Sequence, residues 1–128
     1  MNDQALILLV DDEPDILKLY QTALLQAGFR VVTATNGAEA IETIKQKHPA
    51  LILMDVKMPV MDGVEAAMKI RENPETASSK LVFLTAFSDP ARPEVDLRAA
   101  REIGALDFLK KGIALTELIE KVKGYLAS

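Results

Sequence analysis

The sequence predicts an α/β fold, a doubly wound five-stranded parallel sheet with helices on both faces in three α/β/α layers. Two observations predict it. Five short, almost continuously apolar runs are typical of strands buried on both faces of a parallel sheet. Segments with helical spacing of apolar residues alternate with these runs, which favours right-handed crossovers. The runs are Leu6 to Val10, Phe29 to Ala34, Leu51 to Met54, Leu81 to Thr85 and Ala105 to Leu109.

The first two helices are marked by residues that start and stop helices. Pro14 suits a first helical turn, and Gly28 ends the helix that follows it. The second helix is predicted from Gly37 to Lys47, where His48 and Pro49 end it; we expect no function for His48. Both helices carry apolar residues at helical spacing, so each is expected to cover one face of the sheet.

Three further helices complete the alternation. The third begins near Val64, with Asp62 expected as its cap, and a polar stretch at residues 73–79 closes it. The fourth is predicted from about Glu94 to Ile103. The fifth has the clearest apolar stripe, formed by Leu115, Leu118, Ile119, Val122 and Leu126.

Length and composition indicate one globular domain. The 128 residues are 49% hydrophobic and 27% charged, and we expect a single domain over 1–128 with no effector domain in this chain. A net charge of -4 argues against direct nucleic-acid binding. Apolar runs are too short for a membrane span, and the absence of cysteine excludes thiolate metal sites. With no signal peptide visible, we expect a cytoplasmic protein.

Polar residues follow the strands at the carboxyl edge of the predicted sheet, where sites form in open parallel sheets. Neighbouring carboxylates repel by roughly 4 kcal/mol per pair at an effective dielectric near 20, so a cation is expected among them. Oxygen ligands open to water suit Mg²⁺, and a hydroxyl and an ammonium suit phosphate. The set predicts Mg²⁺-dependent phosphoryl transfer with a carboxylate nucleophile. Its members are Asp11, Asp12, Asp55, Thr85, and Lys110 or Lys111.

Other phosphate chemistries fit the first loop poorly. Flavin or dinucleotide binders need a glycine- or hydroxyl-rich turn after the first strand, whereas this loop is Asp11-Asp12-Glu13. Dehalogenase-type phosphatases need two acids separated by one residue, and the acids here are adjacent. Two simpler interpretations stay open: Asp11 and Asp12 as helix caps, and Phe108 as a packed aromatic.

Taken in order, the motifs of this chain resemble the receiver domain of two-component response regulators, the CheY-like family. The resemblance covers the whole chain and implies a flavodoxin-like (βα)5 fold with strand order 2-1-3-4-5. The motifs are Val10-Asp11-Asp12-Glu13-Pro14, Leu53-Met54-Asp55, Met58-Pro59-Val60-Met61-Asp62-Gly63, Leu84-Thr85-Ala86, Gly104-Ala105 and Phe108-Leu109-Lys110-Lys111.

The resemblance assigns a phosphoacceptor and a metal site. Asp55 resembles the acceptor. Asp12 and Asp55 resemble the metal-ligating carboxylates, with Asp11 helping directly or through water and the backbone carbonyl of Lys57 completing the protein ligands. The implied cofactor is Mg²⁺ or Mn²⁺. The implied donor is a sensor histidine kinase or a phosphotransfer protein.

It also assigns the groups that respond to the phosphate. Thr85 resembles the switch hydroxyl, Lys111 the lysine that pairs with the acyl phosphate, and Phe108 an aromatic that repositions on activation. Counting back from Glu117 favours Lys111 over Lys110. The fourth helix, fifth strand and fifth helix are implied as the output face toward a downstream protein target, and homodimerisation through that face is left open.

The implied activity is that of a switch rather than an enzyme, limited to phosphotransfer onto the chain itself and autodephosphorylation. Two rival interpretations are a phosphorylation-independent interaction module of the same fold, and the receiver piece of a longer transcription factor or hybrid kinase. Neither a membrane nor a nucleic acid is an expected direct partner.

Three features depart from the family pattern. Gly112 follows Lys111 where the family has proline, and the loop at 88–96 is longer than usual. Lys57 and Phe87 occupy variable positions that tune access of the attacking water in the family. We therefore expect Phe87→Ala to change the phosphoryl lifetime, and shortening of the loop to change partner docking or phosphate shielding.

Overall fold

The computed structural model describes residues 5–85 and 102–127. Nearly all of the fourth predicted helix, Phe87 and the loop at 88–96 lie outside the described residues, so the fifth predicted helix is labelled α4. Within the described ranges, no helix is both long and apolar enough to cross a lipid bilayer. The elements are β1 (Leu6–Val10), α1 (Pro14–Gln26), β2 (Arg30–Ala34), α2 (Gly37–Lys47), β3 (Leu51–Met54), α3 (Gly63–Glu72), β4 (Leu81–Thr85), β5 (Asp107–Lys110) and α4 (Leu115–Ala127).

The five strands form one parallel sheet in the order β2-β1-β3-β4-β5. This order confirms the predicted topology. It places β1 and β3 next to each other in the middle of the sheet, with β4 and β5 following on one side. The loops after β1 and β3 therefore meet at the same edge, and the turn after β5 reaches them from beyond β4.

Alternation along the strands creates two separate hydrophobic layers, because successive strand side chains point to opposite faces. Helices α2 and α3 cover one face, and α1 and α4 cover the other, which confirms the predicted three-layer fold. The first layer includes Leu8, Val10, Ala40, Ile44, Ile52, Met54, Ala66, Ala67, Ile70 and Phe83. The second includes Ile7, Leu9, Tyr20, Leu24, Leu51, Leu53, Val82, Leu84, Leu118 and Val122.

The two outer strands correct one prediction. All five strands were expected to be buried on both faces, but only the central three are. In β2, Arg30 and Thr33 are exposed, and in β5, Lys110 is exposed. Within the described sheet, each outer strand pairs with a neighbouring strand on one side alone, which fits its greater exposure. Strand β5 also starts at Asp107 rather than Ala105.

Arg71 ties the end of α3 to the segment before β5. Its guanidinium donates to the backbone carbonyls of Ile103 at 2.8 Å, Ala77 at 2.8 Å and Ser79 at 2.7 Å, and to Gly104 at 3.3 Å. A planar group with several fixed donors suits such a cluster of acceptors. These bonds fix the approach of the chain to β5, and Lys111 directly follows the last residue of that strand.

Candidate functional site

Two buried carboxylates lie side by side one residue beyond β1 and β3. Val10 and Met54 are register partners, so Asp11 and Asp55 occupy the next neighbouring positions. The Asp55 N–H donates to the carbonyl of Val10 at 2.9 Å, and the Asp11 N–H donates to that of Ala34 at 3.1 Å. Asp11 is 1% exposed and Asp55 is 5% exposed. The adjacency of the two central strands thus brings together the two acids that the sequence placed at strand ends.

Asp12 completes a cluster of three acids. Asp11, Asp12 and Asp55 each offer a carboxylate oxygen within 4.8 Å of the others, and Asp12 is exposed to solvent. Two full charges at that distance repel by about 3.5 kcal/mol at an effective dielectric near 20. The buried Asp11 Oδ2 lies 2.7 Å from the ammonium of Lys111. Three carboxylates this close together, with Asp12 open to water, fit a divalent cation.

The ammonium of Lys111 lies among these acids. Its Nζ is 2.7 Å from Asp11 Oδ2, 2.8 Å from Glu13 Oε1 and 3.1 Å from Asp55 Oδ2. It donates hydrogen bonds to Glu13 and Asp55 and forms an ion pair with Asp11 Oδ2. Burial lowers the pKa of Lys111, but the contacts with the acids outweigh burial and hold that pKa above its usual range. Lys111 therefore supplies a permanent positive charge at this edge.

Asp55 is the acid whose ionisation is perturbed most clearly. Burial first, and the charge of Asp11 second, raise the pKa of Asp55 to about 6, although the hydrogen bond and charge of Lys111 and a backbone hydrogen bond at Val56 oppose the rise. At neutral pH the carboxylate is ionised but poorly solvated. A poorly solvated anion close to a cation marks Asp55 as a candidate reactive group.

The loop after β3 packs against the backbone of Asp55 through a glycine. Gly63, the first residue of α3, donates its N–H to the carbonyl of Val56 at 2.7 Å. A Cβ at Gly63 would lie 2.1 Å from the carbonyl oxygen of Asp55 and 3.0 Å from its carbonyl carbon. The helix can approach the acid this closely because glycine has no side chain, so the glycine of the predicted motif has a steric reason.

Other residues of this loop have simpler roles. Asp62 accepts a hydrogen bond from the N–H of Glu65 at 2.8 Å and caps α3, which confirms that prediction. Lys57 is exposed, beside the site. Val60 is 82% exposed and has a φ of 68°, which is rare for a β-branched residue. The loop thus presents an exposed, conformationally strained tip a few residues after Asp55.

The remaining predicted residues are located as follows. Thr85 ends β4 and is the register partner of Lys110, but its side chain lies outside the described part of the structure. Lys110 is exposed, whereas the neighbouring Lys111 reaches the acids, so the structure favours Lys111 as the lysine of the site. Phe108 is half-buried, with its ring centroid 6.3 Å from that of Phe83, and forms part of the core.

Three contacts of the site were not predicted. Glu13 is the N-cap of α1 without a side-chain cap hydrogen bond, and it pairs with Lys111 instead. Asp11 accepts from the N–H of Glu13 at 3.0 Å, so it orders the loop rather than capping the helix. The buried Tyr20 accepts a hydrogen bond from the N–H of Gly112. Glu13 could have been predicted as part of the site, because it is an acid directly after Asp12. No local sequence pattern points to Tyr20.

Comparison with known sequences agrees with the resemblance to receiver domains. The profile of the family described as "Response regulator receiver domain" matches residues 7–123. The transcriptional regulatory protein PrrA of Mycobacterium tuberculosis is 39% identical over 121 residues, which cover 94% of this chain and 49% of that protein. The chain spans about half the length of the curated relatives it matches.

Solved structures with the same fold include two receiver domains of histidine kinases. That of a signal transduction histidine kinase from Syntrophus aciditrophicus is 31% identical, with a TM-score of 0.84 over 96% of this chain and 90% of that one. That of the sensor histidine kinase PA1611 from Pseudomonas aeruginosa is 27% identical, with a TM-score of 0.86 over 98% and 99% of the two chains. The latter holds a magnesium ion coordinated in its active-site cleft.

Proposed function

The chain belongs to the response regulator receiver domain family, and we propose that it is a signalling switch operated by phosphorylation of Asp55. One observation carries the proposal. A buried carboxylate with a raised pKa lies within 4.8 Å of two further acids and 3.1 Å from a protonated lysine. Burial makes Asp55 a reactive anion, and the nearby positive charge offsets the charge of an incoming phosphoryl group.

In the proposed reaction, a carboxylate oxygen of Asp55 forms a bond to phosphorus. The bond from phosphorus to the donor's imidazole nitrogen, or to the oxygen of a small phosphodonor, breaks, and the leaving group keeps the electron pair. When bound, a Mg²⁺ or Mn²⁺ ion held by Asp11, Asp12, Asp55 and the backbone carbonyl of Lys57 would neutralise charge between the carboxylates and the phosphoryl oxygens. The carboxylate oxygens of Asp11, Asp12 and Asp55, within 4.8 Å of one another, support such a ligand set.

The proposed switch is electrostatic. An acyl phosphate at Asp55 adds roughly 1.5 to 2 negative charges at one point. Lys111, now shared among three acids, then gains a stronger partner, and we expect its ammonium to turn toward the phosphate together with the Thr85 hydroxyl. Phe108 and the face formed by β5, α4 and the fourth predicted helix would carry the change to a partner.

The cycle ends by hydrolysis within the same site. Water forms a bond to phosphorus, the bond between phosphorus and the Asp55 oxygen breaks, and inorganic phosphate leaves a free carboxylate. The chain thereby acts on its own phosphoryl group and turns over no separate substrate. We propose that it is a switch and not an enzyme in the ordinary sense.

We propose as phosphoryl donor a sensor histidine kinase or a phosphotransfer protein, and as output a protein partner in the cytoplasm. Support for the donor comes from the relatives, which include transcriptional regulators and receiver domains of histidine kinases. The net charge of -4 disfavours direct nucleic-acid binding by this chain. Homodimerisation through the β5 and α4 face belongs to the same proposal.

Intact-mass measurement after incubation with acetyl phosphate and Mg²⁺ tests the proposal. We expect a single phosphate adduct in the wild type that is lost in Asp55→Asn. Asp62→Asn is the matched control, because Asp62 caps α3 and asparagine caps equally well; its adduct should persist. An adduct that survives in Asp55→Asn would overturn the assignment of the acceptor. A wild type that takes no phosphate from any donor would instead favour a phosphorylation-independent interaction module.

A further inference from the structure

The lysine of the site extends from a tight turn that a glycine makes possible. The N–H of Ile113 donates to the carbonyl of Lys110 at 3.2 Å, which closes a four-residue turn after β5. Its third residue, Gly112, has a φ of 93°. A positive φ at this position is what a type II turn requires, and it fixes the direction of the peptide between Lys111 and Gly112.

That peptide has a buried partner on α1. Its N–H, carried by Gly112, donates to the hydroxyl of Tyr20 at 3.0 Å. Tyr20 lies on α1, is 1% exposed and packs in the layer between α1, α4 and the sheet. A buried phenol needs a polar partner for its oxygen, and the rigid ring holds that oxygen in one place. The hydroxyl thus selects one orientation of the peptide next to Lys111.

We infer that Tyr20 is a positioning residue for Lys111 and acts through the Gly112 amide. The side chain of Lys111 begins at one end of this peptide, and its ammonium lies 2.7 to 3.1 Å from Asp11, Glu13 and Asp55. Loss of the bond to Tyr20 would release the turn, so the backbone from which the Lys111 side chain extends would no longer be held in one place. The positioning stands on geometry alone, whereas its effect on phosphorylation rests on the proposed function.

Tyr20→Phe tests the inference because it removes one oxygen and keeps the buried ring. Without a hydrogen-bond partner, the Gly112 amide should exchange with solvent roughly tenfold faster, as expected for loss of about 1.4 kcal/mol. The ¹⁵N signal of the Lys111 ammonium should broaden as its contacts loosen. Tyr125→Phe is the matched control: the hydroxyl of Tyr125 bonds Asp107, at the start of β5 and distant from the turn.

A double-mutant cycle separates positioning from a general packing effect. We expect Tyr20→Phe to slow phosphorylation of Asp55 by about fivefold when Lys111 is present. In a Lys111→Met background the same substitution should have no further effect, because the group that Tyr20 positions is gone. Equal slowing in both backgrounds would overturn the inference, and so would unchanged Gly112 exchange with an unchanged ammonium signal.

The two kinds of readout also keep this inference distinct from the proposed function. If the wild type accepts no phosphate from any donor, the proposed function fails. Amide exchange and the Lys111 ammonium signal then decide the positioning role by themselves, since neither depends on a phosphoryl group. Faster exchange and a broadened ammonium signal in Tyr20→Phe, with neither in Tyr125→Phe, would support it.

Discussion

Replacing Gly63 by alanine is the sharpest steric test of the site. The new Cβ would lie 2.1 Å from the carbonyl oxygen of Asp55, where real Cβ atoms essentially never come within 3.0 Å. The backbone of α3 or of Asp55 must therefore move by about 0.9 Å, the difference between those two distances. Both backbones are held in place, because the Asp55 N–H is hydrogen-bonded to the carbonyl of Val10 and the Gly63 N–H to the carbonyl of Val56.

We expect Gly63→Ala to lower the free energy of unfolding by about 3 kcal/mol, which is the upper end of the range for overpacked cores. An unfolding entropy of about 2.1 cal/mol/K per residue gives about 0.27 kcal/mol/K for 128 residues. Dividing the loss of about 3 kcal/mol in free energy by this entropy gives an expected decrease in Tm of about 11 °C. Because the displaced carbonyl belongs to the proposed phosphoacceptor, we also expect slower formation of the phosphate adduct.

Urea unfolding followed by circular dichroism measures the loss, and Gly124→Ala is its matched control. Gly124 lies inside α4, and a Cβ there would meet nothing within 4 Å. The same chemical change should therefore stabilise the protein by about 0.5 to 1 kcal/mol, through helix propensity and a less flexible unfolded chain. A Gly63→Ala protein as stable as the wild type, with normal phosphorylation, would refute the steric argument.

Three further predictions concern charge and hydrogen bonding. Folding raises the pKa of Asp55 to about 6 from an ordinary value of 3.8, so the folded protein binds a proton at Asp55 more tightly than the unfolded chain does. In metal-free buffer, the free energy of unfolding should therefore fall as pH rises from about 4 through 6. Urea unfolding at each pH measures this dependence, and Asp55→Asn should abolish it. Arg71→Lys should lower the free energy of unfolding by about 2 kcal/mol, because an ammonium cannot replace a guanidinium that donates to four backbone carbonyls. An unchanged urea midpoint would show that these hydrogen bonds do not stabilise the fold. Asp62→Ala should cost about 1 kcal/mol through loss of the α3 cap, while Asp62→Asn should cost little in the same assay.

The architecture was predictable because its signals are local. Continuous apolar runs set the bounds of β1, β3 and β4, and helix-starting and helix-stopping residues set those of α1 and α2. The exposure of β2 and β5 was not predictable in the same way. The position of a strand in the sheet is a property of topology, and the resemblance already placed β2 and β5 at the two edges. Within the run at Phe29 to Ala34, the polar residues Arg30 and Thr33 were a usable signal for its exposure.

The site was predictable to the extent that its members follow strands. Asp11 and Asp55 stand directly after β1 and β3, and parallel strands bring their carboxyl ends to one edge. The bond from Gly112 to Tyr20 joins residues 92 apart and involves a core side chain of a helix, so no motif or spacing reveals it. The roles proposed for Thr85 and for the loop at 88–96 remain predictions.

The separation of the site residues along the chain has a consequence for folding. The pair between Lys111 and Glu13 joins residues 98 apart, and that between Lys111 and Asp55 joins residues 56 apart. Contacts of such long sequence separation close only after much of the chain is ordered. In a nascent chain with β1 and β3 formed but Lys111 still in the ribosome, Asp11, Glu13 and Asp55 would lack the ammonium that pairs with them. Competence to receive a phosphoryl group would then report that the polypeptide has folded to its last strand.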